Sequence, residues 1–170
     1  MSDKGGWRGE SYGMPEDPRA KSPIPELRIL QWVVPVAKSQ QRGDIEVTIL
    51  SIEAYDDGFV LNVRTEYVRP PTFGTPELAL TIADDRGAVY RARPPGGFGG
   101  GSLARLQWRG AYFFAPALDE HAGQLRIEAP EFQWLGHDEA ARQMVVAETH
   151  PGPWVFPVDL STLPRAPARA

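Results

Sequence analysis

Asp56-Asp57 and Asp84-Asp85 are the residues whose type and grouping come nearest to a metal site. Gly58 directly follows the first pair, and Gly87 follows the second after Arg86. Calcium is a hard cation that gathers about six to eight oxygens, so four carboxylates at one end of a fold would supply part of its shell. The same residues also make good turns. Aspartate accepts from its own backbone, and glycine supplies a positive φ. Adjacent carboxylates also depart from the alternate ligand positions of a calcium loop. Both readings stand at this level: turns, or a Ca²⁺ site at Asp56, Asp57, Asp84 and Asp85.

Other chemistry finds less support. His121, His137 and His150 are well separated, and none has the i,i+4 spacing of a zinc-binding helix. The chain has no cysteine, which removes thiolate catalysis and disulfides. The stretch Gly96-Gly97-Phe98-Gly99-Gly100-Gly101-Ser102 has glycines enough for a phosphate cradle. It lacks a following helix and the lysine beside Ser/Thr, so it reads as a hairpin or crossover. Phe98 at its centre either tucks back onto the domain or anchors a partner. No Gly-x-Ser-x-Gly elbow is present. The expectation is a protein that is not an enzyme and needs no cofactor, Ca²⁺ being the one candidate.

The elements that would position these residues are β-strands. Ile45, Val47 and Ile49 alternate with Glu46 and Thr48; Phe59, Leu61 and Val63 alternate with Asn62 and Arg64. Period-two alternation marks strands with one buried face, and Asp56-Asp57-Gly58 between them marks a hairpin. The adjoining Ile49 and Leu50 break the phase and predict a β-bulge or a twist. Leu27–Val36 reads as a first strand, and Pro35 either places it at an edge or breaks it where the chain switches sheets. Glu77–Ala83 turns Leu78, Leu80 and Ile82 inward, and Trp154, Phe156, Val158 and Leu160 alternate along a last strand. Single helical turns are expected at Leu118–Gly123 and Asp138–Arg142. Strands at spacings of about 8–12 residues predict a sandwich or barrel. The long Pro- and Gly-rich connections favour two packed sheets.

Residues 118–127, Leu-Asp-Glu-His-Ala-Gly-Gln-Leu-Arg-Ile, resemble the corner before the penultimate strand of immunoglobulin-like domains. Leu125 stands at the family's corner tyrosine and Ile127 at its cysteine, so both hallmark residues differ. The resemblance implies a two-sheet antiparallel immunoglobulin-like β-sandwich and a role in binding or assembly. The expected organisation is a flexible arm over residues 1–25, the sandwich over 26–162 and a flexible tail over 163–170.

The chain has 170 residues, 42% of them apolar, and a formal net charge of −4. That length supports one domain with a real core. The mild negative charge disfavours nucleic acid, which calls for a basic face. No stretch is apolar enough for a membrane span and no leader is evident, so a cytoplasmic location is expected. Seventeen prolines and seventeen glycines punctuate the chain. In the arm they surround Trp7, Tyr12 and Met14, which with Phe98 are the expected contacts to a protein partner or a second copy. The alternative is a module for Ca²⁺ or carbohydrate at the acidic turns, or for sugar on surplus aromatic rings.

Overall fold

The structure is a computed structural model and describes residues 29–92, 96–102, 104–138, 140 and 142–161. The expected arm, with Trp7, Tyr12 and Met14, and the expected tail lie outside the described residues. Among those described there are ten strands and no helix: β1 (Leu30–Arg42), β2 (Ile45–Tyr55), β3 (Phe59–Val68), β4 (Gly74–Leu78), β5 (Thr81–Asp84), β6 (Val89–Ala92), β7 (Gly96–Ser102), β8 (Arg105–Ala115), β9 (Gln124–Asp138) and β10 (Gln143–Asp159).

The β2–β3 hairpin forms as the alternation predicts. Tyr55 N–H donates to Gly58 O at 2.8 Å across the Asp56-Asp57 turn. The register then shifts between Ile49 and Ser51, where the apolar phase breaks. The slip keeps Ile45, Val47, Ile49, Ile52 and Ala54 all buried on one strand. Each fully buried aliphatic or aromatic side chain contributes about 1.5–3 kcal/mol.

All pairing is antiparallel. It follows one path, β1-β2-β3-β8-β6-β5-β9-β10, with β4 beside β9 and β7 beside β8. The expected pair of separate sheets is therefore corrected to one curled, open sheet. The joint is β6. Val89 and Tyr90 pair with β5, while Arg91 and Ala92 pair with β8, so one short strand belongs to both halves. The halves close over a single apolar cluster running from Val34 to Leu160. Phe59 meets Tyr90 edge-on at 5.2 Å, and Tyr67 meets Phe132 edge-on at 5.6 Å, across its two ends.

The end carrying the Asp56-Asp57 and Asp84-Asp85 turns is taken as the top. β5 and β6 are paired there, through Ile82 with Tyr90 and Ala83 with Val89. Downward, β4 continues along β9 and β7 continues along β8, and no ladder joins β4 to β7. The β4/β5 and β6/β7 tracks thus form a hairpin zipped at its tip and splayed at its base.

The far edges of the sheet, β1 and β10, approach each other without a backbone ladder. The Gln40 side chain bridges them. Its amide nitrogen donates to Val155 O at 2.5 Å, and its oxygen accepts from Val155 N–H at 2.9 Å. Lys38 Nζ donates to Pro157 O beside it.

Several local expectations change. The 118–123 segment is a β-turn closed by Ala122 N–H to Asp119 O at 3.0 Å, and it contains no helical turn. Residues 140 and 142 lie in the turn between β9 and β10. The last strand starts earlier than its Trp154–Leu160 alternation indicates: β10 runs from Gln143 and passes Pro151-Gly152-Pro153 by a register shift between Pro151 and Trp154. Glu77–Ala83 divides into the end of β4 and β5, with Leu78, Leu80 and Ile82 buried as expected.

Candidate functional site

The acidic turns lie at one end of the fold. Tyr90 ties them together. Its hydroxyl donates to Asp84 Oδ2 at 2.8 Å, and its ring packs on Phe59, just after Asp57-Gly58. Asp84 Oδ1 also accepts from Arg86 N–H at 3.0 Å and Ala88 N–H at 2.8 Å. Burial alone would raise its pKa, but the bonds from Tyr90 and the backbone amides hold it below the usual carboxylate value. Burial, with Asp84 beside it, pushes Tyr90 up to about 12. Asp85 accepts from Gly123 N–H at 3.1 Å and pins the β8–β9 connection. Asp56 and Asp57 are exposed in their turn. Among the described residues no three acidic or histidine side chains gather in a metal-holding arrangement.

The splayed base holds a cleft of about 180 Å³. Its walls are Thr65 and Tyr67 of β3, Gly99–Gly101 of β7, Leu106–Trp108 of β8, Phe73, Gly74 and Pro76 at β4, and Trp134 of β9. Tyrosine's phenol is the single ionisable group in that lining. Phe73 stands at the lip, 60% exposed. Trp134 Nε1 donates to Thr72 O at 3.0 Å, which fixes the indole against the wall.

Glycine is what lets the walls approach. A Cβ on Gly99 would stand 2.3 Å from Trp108 Cε3, and one on Gly74 would stand 2.1 Å from Leu135 O. Gly101, at φ 139°, adopts backbone that side-chain-bearing residues rarely reach. Gly100 differs, since a Cβ there meets nothing within 4 Å. Phe98 lies in β7 in register with Arg109 of β8.

Behind Tyr67 is a polar triangle that sequence reasoning missed. The Tyr67 hydroxyl donates to Glu148 Oε2 and lies 2.9 Å from His150 Nε2, which is 3.1 Å from the same carboxylate. With the phenol proton directed at Glu148, Nε2 acts as donor in both of its contacts. The Tyr67 hydrogen bond holds Glu148 below the usual carboxylate value, against the opposing effect of burial. Burial, then Glu148, raises Tyr67 well above the usual tyrosine value. The triangle ties β3 to β10 and fixes the ring that forms one cleft wall. One signal was present: Glu148 and His150 are two apart on a strand and so share a face.

His121 is exposed beside Glu120 at 3.5 Å, and His137 is exposed on β9. Trp154 is fully buried, and its Nε1 has no hydrogen-bond partner among the described residues. No helix of the described residues is long and apolar enough to cross a membrane.

No protein-family model matches the chain, and no curated protein matches it. A solved structure of similar fold is "the conserved domain protein from Bacillus anthracis", at 17% identity and a TM-score of 0.52. The match covers 76% of this chain and 48% of that one, so the chain spans about half the length of this neighbour. At that identity the likeness is one of fold alone.

Proposed function

We propose that the chain is a non-catalytic binding module that holds an extended protein segment in the splayed base between β4 and β7. One observation carries this reading: two strand edges flank one aromatic-walled cleft, and among the described residues neither has a ladder on its cleft side. A polypeptide laid between them gains backbone hydrogen bonds from the edges and side-chain burial from the rings, the combination used in β-strand addition. Size supports a side-chain anchor over a cofactor. The 180 Å³ cleft is smaller than the roughly 300–1,000 Å³ of small-molecule sites. Its near-neutral lining favours an aromatic or aliphatic anchor over a charged one.

Nuclear magnetic resonance of the full chain tests this. Short peptides with one tryptophan or tyrosine among glycines are expected to move the indole N–H signals of Trp108 and Trp134 saturably. The Phe73→Ala variant removes the exposed ring at the lip of the cleft and is expected to weaken the effect. Silence of both indoles at millimolar peptide, in the natural chain and in Trp7→Ala alike, would refute the reading. A rise in melting temperature with millimolar Ca²⁺ would instead favour the acidic turns, since a ligand of the native state alone must stabilise it.

A further inference from the structure

We infer that the occupant of the splayed base is this chain's own N-terminal segment, residues 1–28, with Trp7 as the anchor. This rests on the reading of the base as a peptide-binding cleft. Three observations support it.

The first is chemical fit. The cleft is lined by Tyr67, Trp108 and Trp134, with no charged side chain. The segment brings Trp7 and Tyr12, and its five basic and five acidic residues balance. Gly5, Gly6 and Gly9 flank Trp7, so its backbone can lie close to the glycines of β7. The second is size. A space of 180 Å³ takes one or two side chains and little more.

The third is reach. β1 begins at the top, where Leu30 pairs with Tyr55, and the cleft lies at the bottom beside Tyr67. The ten residues of β3 cover that height, about 33 Å at roughly 3.3 Å per residue. The chain between Trp7 and Ile29 spans about 70 Å when extended, at about 3.3 Å per residue. A tethered segment is present at an effective concentration of order millimolar, so even a weak anchor stays engaged.

The test uses full-length protein and a synthetic peptide of residues 4–14. Trp7→Ala is expected to move the indole signals of Trp108 and Trp134 and leave Trp32, on β1, in place. It is also expected to raise the affinity for the added peptide by about tenfold or more, because the tethered competitor is gone. Trp7→Phe keeps a ring and is expected to bind peptide as weakly as the natural chain. Equal peptide affinity in the natural chain and Trp7→Ala would overturn the inference while leaving the cleft a peptide site. Failure of the peptide to bind natural, Trp7→Ala and Trp7→Phe chains alike would overturn both.

Discussion

Asp84 shows how a residue chosen for one kind of chemistry is used for another. Its carboxylate closes its own turn and holds Tyr90, and through Tyr90 the top of the core. Asp84→Ala leaves the buried phenol without an acceptor. The expected loss is about 1–3 kcal/mol, read as a lower urea midpoint. The pH dependence follows from the same contacts. Asp84 and Glu148 are both held below their ordinary values of 3.8 and 4.5, so their stabilisation is present above those values. It is lost as pH falls through the folded values, and melting temperature should drop in that acid range. Tyr90 and Tyr112 act at the other end, each raised from 10.0 to about 12. Their contribution is full below pH 10 and lost as pH rises towards 12. A melting temperature that stayed flat below pH 4 would refute the acid half. The turn role of these aspartates was legible because Asp-Gly chemistry is local. The Tyr67–Glu148–His150 triangle was not, because Tyr67 and His150 lie 83 positions apart.

Among the elements, the hairpin, the bulge and the inward faces of β3, β5 and β10 could be read from alternation alone. β7 could not. Five of its seven residues are glycine, which carries no inside–outside pattern, so only pairing with β8 reveals it as a strand. Nor does alternation show where strands of one track separate, and the cleft depends on that separation between β4 and β7. The β1–β10 junction is equally silent in the sequence, because Gln40 there does the work of a strand's backbone. Gln40→Ala removes two hydrogen bonds, at about 1 kcal/mol each. The expected outcome is faster hydrogen exchange at the Val155 amide with little change at Ile127, deep in β9. Equal acceleration at both sites would mean that the junction does not open locally.

For the whole molecule, the expected sandwich and the observed curled sheet bury much the same residues. They differ in β6, whose four residues join the halves at one corner. Periodicity fixes which side chains face inward; it does not say which strand edges meet, and the two architectures differ only there. Leu125 and Ile127, the positions matched to the immunoglobulin-like corner, are both buried, but inward residues are common to sandwiches and curled sheets alike. One cluster serves both halves, so thermal unfolding should be a single transition with matching calorimetric and van't Hoff enthalpies. Two resolved transitions would show that the halves are separate folding units.

The bridge at Gln40 also has a bearing on chemical ageing. It relies on a side chain that donates with one atom and accepts with the other, a pairing that glutamate cannot reproduce. Deamidation would set a carboxylate oxygen against the Val155 carbonyl, turning attraction into repulsion. A change of one mass unit, invisible to composition and nearly to shape, would loosen the barrel-like closure where no backbone ladder backs it up.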